Sequence, residues 1–276
     1  MQALSVLLDV GAIVLLLTAS IRAAKGFTLE AIVPILAGGL LSAALAAVLG
    51  VQPAFGHLLL IILAVGLGAS FGASAAMIAP IERIPLLLNG FLVLYGLVAL
   101  LLAFAAADPG LAPTDPQTLA AMIERMTGAL VATVSGALVL GGGGVLFFGR
   151  LRGAREMPVV GRGAGLLELG LAVAMVIAAL LYLMTASILS LGAVAVMSAC
   201  LGAAVIFAAE SGARWPLSVL LTALCGLATA AIGFALASLL LITAGGLVAA
   251  AMAAVFSGLC REGQKSALEL LFGPRS

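Results

Sequence analysis

The sequence predicts an all-α fold: a polytopic bundle of nine transmembrane helices forming one domain over residues 1–276, with the N-terminus outside and the C-terminus in the cytoplasm. Three observations carry this reading. Apolar residues make up 64% of the 276, against only 12 Lys or Arg and 11 Asp or Glu. A soluble domain is about one quarter charged, so this chain cannot cover a surface in water. The apolar residues fall into nine runs, each close to or above the roughly 20 residues that cross about 30 Å of hydrocarbon. The basic residues then gather on one side of the resulting arrangement.

The runs are cut at charges, prolines and polar clusters. The first, 4–23, has no basic residue before it, and Arg22 and Lys25 follow it. That is the wrong flank for a signal peptide, so it is read as a span. The second is 31–49. The third, 57–78, opens with His57 and carries Gly68-Ala-Ser-Phe-Gly72, a small-xxx-small face of the kind that lets helix backbones approach in lipid. The fourth, 85–106, begins with a proline, which suits a first helical turn. The connection after it (Asp108-Pro-Gly, then Pro113-Thr-Asp-Pro116) joins acids to chain breakers. The fifth, 120–148, contains the run Gly141–Gly144.

From Ala164 to Ala209 the only charge is Glu168. A single helix of that length would be about 69 Å long, so the chain turns, most readily at Thr185-Ala-Ser-Ile-Leu-Ser190. This gives the sixth and seventh runs, 165–185 and 189–209. No charge interrupts Trp215 to Leu259. The same argument puts a turn near Ser238 and gives the eighth and ninth, 216–237 and 239–259.

Nine spans place Arg22, Lys25, Arg83, Arg150, Arg152, Arg155, Arg162, Arg214, Arg261, Lys265 and Arg275 on one side, and only Arg125 on the other. Basic residues favour the cytoplasm, which orients the chain. The charge is too sparse and scattered for nucleic-acid binding. The three cysteines have no paired spacing and read as small buried hydrophobes.

Spans four and eight resemble each other. Pro85 and Pro216 stand in their first turns, Gly96-Leu and Gly226-Leu follow, and Phe104 and Phe234 come eight residues after each glycine. Both spans run in the same direction, as in a parallel repeat. The glycine run 141–144 lacks the strand before it and the Lys-Ser/Thr after it that a phosphate loop needs. Gly161-Arg-Gly-Ala-Gly165 lacks dinucleotide spacing.

Ionisable groups at membrane depth are functional candidates by default. Asp9, His57 and the pair Glu124-Arg125 lie near interfaces and read as structural. Glu168, about one turn into span six, is expected to snorkel and pair with Arg162. Asn89 and Thr222 sit in the cytoplasmic half to middle of spans four and eight, positioned to bond across helices or to a file of water. One interfacial His cannot build a nucleophile–base pair, so no complete enzyme is expected in this chain.

Several stretches together resemble a known family. They are Glu82-Arg-Ile-Pro85 leading to Gly96-Leu-Val-Ala; Gly143-Gly-Val-Leu-Phe-Phe-Gly-Arg-Leu151; Gly226-Leu-Ala-Thr-Ala-Ala-Ile-Gly-Phe234; and Leu239-Leu-Leu-Ile-Thr-Ala-Gly-Gly-Leu-Val248 running on to Leu259-Cys-Arg261. Their order and spacing resemble the membrane domain of the NAD(P) transhydrogenase beta subunit over nearly the whole chain. The resemblance implies nine spans, a cytoplasmic C-terminus, and proton translocation coupled to hydride transfer between NAD(H) and NADP(H). It also shows departures. The family's histidine position, seven residues after the span-four proline, is Leu92. Its asparagine position on span eight is Thr222. Its serines on the last span fall on Ala250 and Ala251. The resemblance implies an NADP(H)-binding domain after the last span, whereas the present residues end at Ser276 after a short amphipathic tail.

On this resemblance the chain is expected to hold no cofactor itself. NAD and NADP would sit on transhydrogenase alpha-type and NADP-binding partner subunits, with the chain in the lipid bilayer of a bacterial inner membrane. The remaining polar residues of a proton path would be Asn89, Tyr95, Thr222 and Glu168. A second copy of the chain, as a homodimer, is a further partner expectation, and a divergent non-conducting scaffold subunit and a small-solute transporter are the competing readings. A narrow polar thread in a packed Gly/Ala bundle would fit proton conduction, and a wide cavity would fit a transporter.

Overall fold

The structure is a computed structural model that describes residues 2–26, 28–51, 55–78, 80, 83–108, 119–151, 164–209, 214–264 and 266–272. All secondary structure among these residues is helical: α1 Gln2–Ala24, α2 Leu29–Val51, α3 Phe55–Ile78, α4 Ile84–Ala107, α5 Leu119–Leu151, α6 Ala164–Thr185, α7 Ile188–Ala208, α8 Arg214–Ala235, α9 Leu239–Glu262 and α10 Ala267–Phe272. Eight of these are long and apolar enough to cross a membrane, and α3 contributes the shorter apolar stretch Ile62–Gly72 among the described residues. The chain is an integral membrane protein. α10 is the amphipathic tail, and its Leu271 is buried in a cluster with Leu217 and Leu221 of α8.

The chain forms two compact units, Met1–Ile84 and Pro85–Ser276. In the first unit α1 and α2 pack as a helical hairpin. Gly39 lies against Leu16, where an added Cβ would stand 3.2 Å from the side chain. The Ser42 hydroxyl donates across the pair to the Leu8 carbonyl at 2.8 Å. The described side chains of α3 are almost all exposed.

In the second unit α5 is the hub. Its glycines face different neighbours. A Cβ on Gly128 would stand 2.7 Å from the Ala231 carbonyl of α8, and one on Gly142 would meet Leu221 of α8 and Ile206 of α7. One on Gly141 would run into the Ala199 carbonyl of α7, while Gly136 faces Gly96 and Ala99 of α4. Lipid offers no hydrophobic drive between helices, so close backbone packing of this kind holds the bundle together. The α4/α8 likeness has a structural counterpart. Gly96 abuts the Gly136 carbonyl of α5, and Gly226 abuts the Gly245 carbonyl of α9, each 2.7 Å from where a Cβ would be.

The two turns required by length lie between α6 and α7 and between α8 and α9. Ala186 and Ala237 hold them, with φ of 51° and 52°. Ser187 and Ser238 cap the helices that follow. The Ser238 amide donates to the Gly233 carbonyl at 2.8 Å, closing α8 in a Schellman arrangement. A left-handed conformation costs an alanine about 1 kcal/mol that glycine does not incur. Ala186→Gly and Ala237→Gly are therefore each expected to raise the thermal midpoint in detergent by roughly 2–4 °C. A midpoint that falls would show that the turns are held by something other than backbone conformation.

The burial expected of the cysteines needs one correction. Cys225 is buried and Cys260 half-buried, but Cys200 is exposed. It lies on the face of α7 opposite the stripe Leu191, Val194, Ser198, Gly202 and Ile206 that is buried.

Candidate functional site

The second unit contains a cavity of about 860 Å³ between α4, α8 and α9. That lies within the range of a small-molecule site. α4 lines it with Pro85, Asn89, Leu92 and Tyr95, and α8 with Trp215, Ser218, Thr222, Cys225 and Thr229. Gly245, Val248 and Met252 of α9 complete the wall. Gly226 and Gly245 make this possible. They bring α8 and α9 into backbone contact, so both helices present a continuous surface to the cavity.

The polar lining follows from helical periodicity. Ser218, Thr222, Cys225 and Thr229 are spaced at i, i+4, i+7 and i+11, which puts them on one stripe of α8. Hydroxyls inside a membrane helix commonly return to their own backbone. Thr222 donates to the Ser218 carbonyl at 2.7 Å, and Thr229 to the Cys225 carbonyl at 2.9 Å. Opposite them Asn89 is only 3% exposed.

Tyr95 joins the two walls. Its hydroxyl lies within reach of both the Cys225 carbonyl, at 3.0 Å, and the Thr229 hydroxyl, and donates its one proton to one of the two. Beyond this bridge the lining changes. Ala99 and Ala103 of α4, Ala132 of α5 and Ala228, Ala231 and Ile232 of α8 form an apolar cluster of buried residues. The cavity therefore runs from the end where α4 and α8 begin up to Tyr95.

The structure thus brings together three of the four residues singled out in the sequence, Asn89, Tyr95 and Thr222. Glu168, on α6, is not among the lining residues. One of its carboxylate oxygens is buried without a hydrogen bond among the described residues, and its expected partner Arg162 lies outside them. The cross-helix bond is made by Tyr95, and Thr222 bonds within its own helix instead of across the bundle. Leu92, at the position where the resembling family carries histidine, lines the same cavity, whereas Ala250 and Ala251 are exposed outside it. Arg125 differs from expectation. Its Nε and Nη1 are buried and reach no acceptor among the described residues, and Glu124 beside it is exposed. The side chain of His57 lies outside the described residues.

Sequence reading missed Ser218 and Thr229 as lining residues. Their spacing from Thr222 held the signal, but it was diluted in a run of small residues. At about 860 Å³ the cavity is wider than the narrow thread that would fit proton conduction and nearer to the wide cavity that would fit a transporter. It forms a vestibule with apolar walls and one polar stripe.

The family described as NAD(P) transhydrogenase beta subunit matches residues 4–275. No curated protein matches the chain.

Proposed function

This chain belongs to the NAD(P) transhydrogenase beta subunit family, and from that premise we propose that it is the proton-translocating membrane subunit of a multi-chain transhydrogenase. Hydride transfer between NAD(H) and NADP(H) takes place on alpha-type and NADP-binding partner subunits, in a bacterial inner membrane. One observation carries the reading: Asn89, Tyr95 and Thr222, together with Leu92 at the family's histidine position, converge on one cavity between α4, α8 and α9. Water in that cavity can bond the carboxamide of Asn89 and the hydroxyl stripe of α8. That supplies a file along which a proton moves without a charged side chain. With the basic connections in the cytoplasm, the open end of the cavity faces the cytoplasm. Glu168 lies outside this path.

The direct test is isolation in mild detergent with the nucleotide-binding subunits that accompany the chain, then reconstitution in proteoliposomes. Proton uptake coupled to hydride transfer is expected. The double variant Asn89→Leu/Thr222→Val is expected to lower both by at least about tenfold, the size of one lost proton-relay contribution. Glu168→Gln is expected to leave both unchanged. A complex whose hydride transfer proceeds while the double variant conducts normally would overturn the reading.

Leu92 favours a second reading. A cavity without an imidazole lacks the side chain that most readily changes charge near neutral pH, which fits a non-conducting scaffold subunit. In that case the complex would transfer hydride with no proton uptake at all.

A further inference from the structure

Along α4 and α8 the residues that line the cavity give way to a buried alanine-rich cluster, and the change falls at Tyr95. We propose that Tyr95 is a latch. Its hydroxyl, which donates its one proton to Thr229 Oγ1 or to the Cys225 carbonyl beside it, ties α4 to α8 and divides a water-accessible vestibule from a seal of small buried side chains. This inference rests on the proposed reading of the cavity as the aqueous part of the path.

Three features support it independently of one another. The stripe on α8 is polar at Ser218, Thr222 and Thr229 and continues, on the same helical face, to Ile232. The change falls at Thr229, the residue Tyr95 bonds. On α4 the same level divides Asn89 and Leu92, which line the cavity, from Ala99 and Ala103, which lie in the seal. Finally, Thr222 and Thr229 donate back into α8, whereas the Tyr95 hydroxyl crosses from α4 to α8. Small side chains such as the seal's alanines leave helix surfaces smooth, so the barrier beyond the latch is thin and depends on α4 and α8 staying together. A hydrogen bond at such a boundary sets a two-state equilibrium between a closed and an open seal. Tyr95 is thus a positioning residue. It holds no proton in transit, but decides whether the vestibule connects further.

The test uses site-directed thiol labelling in proteoliposomes, in a chain carrying Cys200→Ser, Cys225→Ala and Cys260→Ser. Thr222→Cys reports the vestibule, and Ile232→Cys reports the seal without overpacking it. The probe is a charged, membrane-impermeant maleimide. Thr222→Cys is expected to react readily. Ile232→Cys is expected to react at least about tenfold more slowly, as befits a group reached only through a minor conformation. Adding Tyr95→Phe is expected to raise the Ile232→Cys rate about fivefold, the shift one ordinary hydrogen bond sets on such an equilibrium, and Thr229→Val, which leaves the Cys225 carbonyl as an acceptor, to raise it less. The Thr222→Cys rate should not move. Two separate latch substitutions guard against the misfolding of either. The latch is overturned if Ile232→Cys reacts as fast as Thr222→Cys with Tyr95 intact, or if neither latch substitution changes its rate. If Thr222→Cys itself fails to react, the cavity is not aqueous, and both the latch and the proton-path reading fall.

Discussion

Gly141→Ala is expected to abolish recovery of folded, monodisperse protein. The added Cβ would run into the Ala199 carbonyl of α7, and a backbone atom cannot swing aside as a side chain would. α5 and α7 would have to part along the length of their contact. Overpacking a core costs typically about 1–3 kcal/mol, and a clash with backbone lies at or above the upper end. A thermal midpoint lowered by roughly 10 °C is therefore the least effect expected in any protein that survives extraction. Gly144→Ala is the matched control. Its Cβ would meet nothing within 4 Å, and in a helix interior alanine is favoured over glycine by about 1 kcal/mol. The same substitution three residues apart should thus carry opposite signs. Thermal unfolding followed by size-exclusion in detergent decides the matter. Equal behaviour of the two variants would mean that α5 and α7 do not pack in this way.

Leu92→His is the second large effect, and it tests function. Leu92 lines the cavity opposite the α8 stripe. An imidazole there would be within the vestibule, near the carboxamide of Asn89. Histidine titrates near pH 6.5 when unperturbed, so the variant would add a group that both binds and releases protons between pH 5 and 8. Below that pKa the imidazole is mostly charged and above it mostly neutral; flux through it needs both forms and should peak between. The expected result is proton flux in reconstituted vesicles that rises about tenfold or more over the parent near that pH and falls on either side, within the range of general acid–base contributions. The parent, whose vestibule holds no imidazole, should show no such peak. A flat profile in the variant would place position 92 outside the proton path.

Much of the fold was legible because membrane helices are constrained by length. The turn at Ala186 could be placed without any turn motif, since no single helix of that length fits a bilayer. The turn at Ala237 followed in the same way, with Ser238 supplying the cap. The candidate site was legible in part. Asn89 and Thr222 stood out as polar residues in apolar text. Tyr95 could be named, but its role could not, because the hydrogen bond that defines it joins residues 130 and more positions apart in the chain. Ser218 and Thr229 were passed over because a serine or threonine in a membrane helix usually satisfies itself locally. Only the third dimension shows that they share a wall. The division of labour among the glycines of α5 was equally hidden. The run Gly141–Gly144 reads as one uniform small face, yet Gly141 meets α7, Gly143 meets Leu92 and Val93 of α4, and Gly144 meets nothing.

The hub position of α5 has a consequence for biogenesis. A chain enters the membrane from its N-terminus, so α5 arrives before α7 and α8, the partners of Gly141, Gly142 and Gly128. Until they are synthesised, those bare stretches of backbone face lipid. α5 is equipped to wait. The buried hydroxyls of Thr133 and Ser135 donate to the carbonyls of Ala129 and Val131 one turn earlier in the same helix, at 2.8 and 2.6 Å, so neither needs a later helix to satisfy it. Gly96 and Gly136 let α4 and α5 pair at once. α4 and α5 can therefore pair before the C-terminal helices are made, which leaves the faces of Gly128, Gly141 and Gly142 for α7 and α8 to cover.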